Sequence, residues 1–334
     1  MKTVLHKKGL VEVHFPVSDL KDGAGLRADA FLAKRLKRYS RSEVQRLMAA
    51  GRVRLKRGEG SPGPVKASQR LALSDTVIVA YTRTEEPPCA HERLAVLHED
   101  DDLLAVDKPA RVLSHPTDRV VRNAATSILA RQFPGFKLHL AHRLDRETSG
   151  VLLLAKNKEA ARRLTESFTR GKVRKEYLAV VRGEVAFERT VVDKPMEHDG
   201  GEIKVRQGLG GDRAARTEFE RVAVAHGLSL VRALPRTGRL HQIRVHLASL
   251  GHPVLGDKLY QGEGEYYMKA VRRELDEEDL LALGASRQML HAARLGFPHP
   301  STGAWTEVEA PLPEDFLRLK VLLGLGPSVP GTAG

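Results

Sequence analysis

The 334-residue chain has a single cysteine, Cys89. One thiol excludes an internal disulfide framework and any multi-cysteine zinc site, and it suits a reducing, cytoplasmic setting. Apolar runs are short. Nowhere do about 18 apolar residues follow one another, so no membrane span is expected. The start, Met1-Lys2-Thr3-Val4-Leu5-His6-Lys7-Lys8, lacks the apolar core of a secretion signal. A P-loop, a dinucleotide fingerprint, His-Glu-x-x-His and internal repeats are also missing. Of the fourteen histidines, His241 and His246 stand five apart and not four, the spacing of a helical zinc pair, so no metal is expected.

What the chain does have is positive charge. The net charge is +13 with a pI near 9.9, which favours polyanions, because neutralising phosphates releases condensed counterions. From Arg27 to Arg57, eleven Lys or Arg face only Asp29 and Glu43, a local +9. Arg27, Lys34, Arg38, Ser40, Arg41, Arg46 and Arg52 are the candidate polyanion contacts from this stretch. The alternative is a merely solvated helical face.

The length leaves room for two domains and a sizeable core. Residues 1–17 fit an extended strand, with Val11, Val13 and Phe15 alternating against polar neighbours. A helix is expected over Arg27–Lys37, with Phe31, Leu32 and Leu36 inward. Ser40-Arg41-Ser42-Glu43 fits a capping box for a second helix, with Val44, Leu47 and Met48 buried and Gly51 ending it. A strand over Arg52–Leu55 enters a Gly/Pro turn at 58–64. Leu71–Tyr81 then places Val77 and Val79 on one face and Ile78 on the other. The polar, Pro-bearing stretch 85–94 reads as a linker. Residues 95–322 mix strands and helices without regular βαβ alternation, which points to an α+β domain with a mainly antiparallel sheet. The Gly- and Pro-rich end, 323–334, reads as a flexible tail.

The most informative string is Ala141-His142-Arg143-Leu144-Asp145-Arg146-Glu147-Thr148-Ser149-Gly150. Asp145 sits between two arginines, just before the apolar run Val151–Ala155. A basic flank holds a carboxylate ionised, ready to act as nucleophile or base. Taken alone, an exposed ion-pair cluster before a buried strand is the better explanation. Further on, Leu240, Ile243, Leu247 and Leu250 recur at helical spacing, with Gly251 as terminator. Arg239, Gln242 and His246 would share an adjoining face, aiming a cation and a helix N-terminus at an anion. Tyr177, in the alternating strand from Lys175 to Val180, reads by itself as a core residue.

Five segments together resemble the RluA-type RNA pseudouridine synthases. They are the Asp145 string, Glu99 to Ala110 with Ser114-His115-Pro116, Arg174-Lys175-Glu176-Tyr177-Leu178, Arg236 to Leu247 with Gly256-Asp257-Lys258-Leu259-Tyr260, and Arg287 to Ala292. The resemblance implies that Asp145 is catalytic, that Arg239 pairs with it, and that Tyr177 stacks on the target base and serves as general base. Leu290 would line the uracil pocket, and Lys108, Lys175, His142, Arg143 and Gln242 would bind substrate. One position departs from the family pattern: Lys-Pro-Ala-Gly is here Lys108-Pro109-Ala110-Arg111, where glycine would permit positive φ or close approach.

Residues 1–84 resemble the RNA-binding module named after ribosomal protein S-four. The match rests on Arg27 to Leu32, Ser40-Arg41-Ser42, Gln45, Gly51-Arg52-Val53 and Ser74 to Val77. The usual Asn-Gly turn is replaced by the longer Arg57 to Pro64 stretch. The implied activity is isomerisation of uridine to pseudouridine in structured RNA by a cofactor-free monomer, on large-subunit ribosomal RNA or transfer RNA. The competing reading is a non-catalytic RNA-binding factor in ribosome assembly.

Overall fold

The computed structural model describes residues 2–5, 10–18, 24–36, 39–82, 86, 90–117 and 120–325. The chain divides into two compact units, Met1–Pro87 and Pro88–Gly334. Among the described residues, no helix is long and apolar enough to cross a membrane.

The first unit runs β1 (Lys2–Leu5), β2 (Leu10–Pro16), α1 (Ala28–Arg35), α2 (Arg41–Ala49), β3 (Val53–Arg57), β4 (Gly63–Pro64) and β5 (Asp75–Thr82). Its strands form one sheet in the order β1-β2-β5-β3-β4. The single strand expected over residues 1–17 is two antiparallel strands, Lys2 facing His14 and Leu5 facing Val11. Helix α2 starts where the capping box places it. Glu43 N–H donates to Ser40 Oγ at 3.3 Å, and Ser40 N–H donates to Glu43 Oε2 at 2.6 Å. Val44 and Met48 join Phe31, Leu32, Val77 and Val79 in one core. Ile78, on the opposite face of β5, is buried as well. The Gly/Pro stretch closes a hairpin, because Leu55 pairs with Gly63 and Arg54 with Pro64.

The second unit begins with β6 (Ala95–Glu99), β7 (Leu103–Lys108), α3 (Ala125–Gln132), β8 (His139–Leu140), β9 (Ser149–Ala155), α4 (Lys158–Thr169), β10 (Arg174–Arg182) and β11 (Arg189–Asp193). It continues through β12 (Met196–His198), β13 (Gln207–Leu209), β14 (Arg216–Ala225), β15 (Leu228–Pro235) and α5 (Gln242–Ser249). Last come α6 (Glu265–Arg272), α7 (Glu277–Leu283), β16 (Leu290–Pro298), β17 (Trp305–Glu309) and α8 (Glu314–Leu322). A ten-stranded sheet has the order β11-β14-β15-β10-β16-β9-β7-β6, with β17 on β16 and β8 on β9. Every pairing in it is antiparallel except β16 with β9, which makes this an α+β fold with a mainly antiparallel mixed sheet.

That parallel contact positions the turn before β9. Gly150 has φ +109°, and a Cβ there would lie 2.1 Å from the Ala292 carbonyl oxygen. Only glycine lets β9 begin this close to β16. Two expected boundaries shift. Leu94 is buried and exchanges hydrogen bonds with the Gln132 side chain, so the linker ends before it. Leu323 is buried and Leu325 packs against the same core, so the tail starts later than 323; residues 326–334 lie outside the described residues.

Candidate active site

Asp145 lies in the turn between β8 and β9, and the turn is held from several sides. Ser114 Oγ donates to Leu144 O at 2.8 Å and accepts from Leu144 N–H at 2.9 Å, pinning the residue before the aspartate. Thr148 N–H returns to Asp145 O at 3.2 Å. Lys258 Nζ reaches Glu147 Oε1 at 3.0 Å, and Gln288 N–H reaches Glu147 Oε2 at 3.1 Å. Arg287, 2% exposed, donates from Nη1 to Glu147 O while its fork grips Asp315.

The cation on Asp145 is Arg244. Its Nη1 donates to Asp145 Oδ2 at 2.9 Å, while Nε and Nη2 make a bidentate pair with Asp257 at 2.6 and 2.8 Å. Asp257 is fully buried and also accepts from Leu259 and Tyr260 N–H. The guanidinium lies 5.0 Å from the Tyr260 ring centre. A fork locked by one carboxylate presents its remaining N–H in a fixed direction. Burial works to raise the Asp145 carboxyl, but the Arg244 charge and hydrogen bond, with help from His241 and Gln288, hold it below the ordinary value. The side chain keeps 24% of its surface open. An ionised, partly accessible carboxylate results.

Tyr177 arrives through three adjacent strands. It pairs with Ala292 of β16, whose other neighbour is Gly150 of β9. Burial, and then the Asp145 charge, push its phenol well above the usual range. It therefore stays protonated at neutral pH, which opposes the expected role as a general base.

Arg239 is a correction. It is exposed, with Nε on Ala214 O at 3.0 Å, and it makes no pair with Asp145. The expected helical stripe began too early: α5 starts at Gln242, after His241 in a left-handed conformation with φ +59°. Leu240 is consequently 51% exposed. Arg244 falls in the first turn of α5, where Gln242 to Leu247 are all buried. Sequence reasoning missed it, although it stood in the quoted motif together with Asp257.

Other expected substrate contacts are spent inside the protein. Lys108 is fully buried, its Nζ donating to Pro109 O at 2.9 Å, Val112 O at 2.8 Å and Arg146 O at 3.4 Å. Burial brings its amine down to about 7. Gln242 accepts from Thr237 Oγ1 and Arg239 N–H and donates to Arg216 O and Thr217 Oγ1. His142 Nε2 accepts from Leu153 N–H at 3.1 Å, its ring stacks on Phe168, and burial lowers it to about 4. Half-buried Lys175 donates to Thr237 O at 2.6 Å, and burial lowers it to about 8. Leu290 is 4% exposed, within the core. Arg143 is exposed, as is Arg146, and no described residue pairs with either side chain.

In the first unit, Arg27 and Arg41 both hold Asp29, which is fully buried and also accepts from Gln45. They remain 43% and 52% exposed. Lys34, Arg46 and Arg52 are exposed. The Ser40 side chain is engaged in the helix cap, and Arg38 lies outside the described residues.

Asp100, Asp102 and His299 offer ligand atoms within 4.8 Å of one another. Ser301 and Thr302 N–H both donate to His299 Nδ1, which puts the ring proton on Nε2, facing Asp100 Oδ2 at 3.1 Å. A metal would need that nitrogen bare. The trio is a hydrogen-bonded brace between the β6–β7 turn and the β16–β17 turn.

Comparison with known proteins bears on this arrangement. A family model described as RNA pseudouridylate synthase matches residues 102–249. Ribosomal large subunit pseudouridine synthase C of Escherichia coli (strain K12) is 36% identical over 313 residues, 89% of this chain and 92% of that protein. The protein of the same name from Vibrio parahaemolyticus is 33% identical over 315 residues, 91% of this chain and 94% of that one. Among solved structures, Human RNA Pseudouridylate Synthase Domain Containing 4 is similar with a TM-score of 0.54 and 29% identity, covering 70% of this chain and 94% of its own. With those matches spanning the Asp145 turn, β10 and α5, the chain belongs to the RluA-type family of RNA pseudouridine synthases.

Proposed function

We propose that this protein isomerises uridine to pseudouridine in large-subunit ribosomal RNA, acting as a cytoplasmic monomer. The reaction breaks the bond from the anomeric carbon to base nitrogen 1, turns the uracil, and rejoins it through carbon 5. Carbon 5 loses its proton to solvent and nitrogen 1 gains one, so substrate and product are isomers. No external electron pair, nucleotide or group donor is consumed.

The carrying observation is the Asp145 carboxylate, kept ionised by Arg244 and left partly open beside Tyr177. Asp145 starts glycosidic cleavage, by attack on the sugar or by removal of a sugar proton. Arg244, anchored by Asp257, fixes the direction of the carboxylate. Tyr177 offers a ring face to the base and a protonated hydroxyl. A uridine within a stacked RNA strand must flip out to reach them. The first unit, as an S-four-type module, adds affinity through Lys34, Arg46 and Arg52, with the salt dependence of phosphate contacts.

The test is tritium release from RNA labelled at carbon 5 of its uridines, run separately on large-subunit ribosomal RNA and bulk transfer RNA. Release from the ribosomal transcript alone is expected. Release only from transfer RNA would keep the chemistry and overturn the target. No release from either RNA, nor from precursor ribosomal particles, alongside tight salt-sensitive binding, would replace the enzyme with a non-catalytic assembly factor.

A further inference from the structure

We propose that Arg111 holds a backbone phosphate of the substrate RNA next to the target uridine, and that its strained backbone is retained for this contact. The proposal rests on the synthase reading above.

Arg111 has φ +68°, the left-handed region that side chains other than Asn and Asp seldom adopt. The turn is held through its carbonyls by Lys108, but the Arg111 side chain itself contributes little to holding it. The guanidinium makes one long hydrogen bond, Nη2 to Ser286 O at 3.4 Å, and it meets no carboxylate among the described residues. The same carbonyl already accepts from Lys258 Nζ at 3.1 Å. Removing Arg111 from it would leave no unsatisfied group.

Its position, by contrast, is tightly fixed relative to Asp145. The buried Lys108 ammonium grips the carbonyls of Pro109 and Val112, on either side of Ala110-Arg111, and that of Arg146, next to the aspartate. One cation thus ties the Arg111 turn to the Asp145 turn. From there the exposed side chain crosses toward the loop holding Ser286, whose neighbours Arg287 and Gln288 support Glu147. Arg143 and Arg146 stand exposed on the Asp145 turn itself. Three exposed guanidiniums without a protein carboxylate among the described residues therefore stand on the Asp145 turn and on the turn that Lys108 ties to it. A guanidinium fork matches phosphate oxygens, and a flipped nucleotide needs its flanking phosphates held.

Three full-length variants test this with a large-subunit ribosomal RNA transcript: Arg111→Ala, Arg111→Gly and Arg111→Lys. Equilibrium binding against salt, KM and kcat are measured, with thermal melting alongside. Arg111→Ala is expected to raise KM several-fold with kcat within about twofold, and to flatten the log–log salt slope by about 0.7–0.9. Arg111→Lys should keep the slope. Arg111→Gly should bind as poorly as Arg111→Ala while melting at a higher temperature than it, because glycine tolerates the backbone. Unchanged affinity and slope in Arg111→Ala would overturn the proposal. So would recovery of affinity in Arg111→Gly, since the defect would then be conformational. Wild-type binding without any pseudouridine formation would instead sink the synthase reading, leaving the Arg111 slope interpretable as RNA contact.

Discussion

Each unit of this protein contains an aspartate locked to arginine, and the two sites are built for opposite ends. Asp29 is fully buried, takes two hydrogen bonds each from Arg27 and Arg41, and receives Gln45 at 2.7 Å. Asp145 takes one arginine hydrogen bond and keeps 24% of its surface open. Both carboxyls are held below their ordinary values despite burial that works the other way. Ionisation alone therefore does not distinguish them. What differs is how the coordination is spent. Asp29 is saturated and fastens α1 to α2, whereas at Asp145 the arginine is saturated by a second carboxylate, Asp257, and the aspartate keeps free capacity. A carboxylate with its lone pairs consumed is a fold element, and one with capacity left is free to take the reagent's role proposed for Asp145.

The largest effect that should separate them comes from removing one charge at each site. Asp145→Asn is expected to lower tritium release by about 1,000-fold or more with RNA affinity within about threefold. Asp29→Asn should leave the turnover number on saturating RNA near wild type, and cost the first unit about 2 kcal/mol, because buried hydrogen bonds to charged groups are lost. Turnover in Asp145→Asn close to wild type would break the comparison at its centre.

Next in size is the arginine. Arg244→Ala strands the buried Asp257 and should destabilise the second unit by about 3–5 kcal/mol. Arg244→Lys sharpens the point, since one ammonium cannot keep the bidentate pair and also reach Asp145. It should remain folded by circular dichroism yet lose about 100-fold in kcat. Arg239→Ala should change stability by less than about 0.5 kcal/mol and rate by less than about threefold. A larger rate loss at Arg239 than at Arg244 would restore the pairing implied by resemblance.

Legibility followed the same divide between local and distant causes. Ser40 and Glu43 announce α2 because both halves of the cap lie within four residues. Asp145 stands out because the whole string that resembles the family is contiguous, whereas its flanking arginines alone suit a surface ion-pair cluster. Arg244 does not, because its identification needs the true start of α5, and His241 delays that start by adopting a left-handed conformation that periodicity cannot foresee. A helix begun at Arg239 turns the wrong cation toward the site. The antiparallel character of the sheet followed from the missing βαβ rhythm, but the parallel contact of β16 with β9 is a pairing between residues about 140 positions apart. Lys108 misled for another reason. The resemblance made it a substrate contact, yet β7 is an inner strand and three carbonyls converge on the amine.

Lys108 gives the effect spread most thinly, a slope in pH with no loss of activity, and it asks whether a buried cation near Asp145 behaves like the buried anion in the first unit. Burial brings the amine down to about 7, against an ordinary lysine value of 10.5. Between those values the unfolded chain binds more protons than the folded one, so this group makes stability rise with pH from about 7 toward 10.5, the reverse of a group stabilised in its charged form. The slope from this one residue is at most about 1.4 kcal/mol per pH unit. Urea unfolding of wild type and Lys108→Met at pH 7, 8 and 9 isolates it: wild type should gain stability relative to the variant as pH rises. A flat difference would mean that three carbonyl acceptors, matching three ammonium protons, hold Lys108 charged throughout. The second unit would then contain a saturated buried cation as the counterpart of saturated Asp29, and Asp145 would be the member left unsaturated.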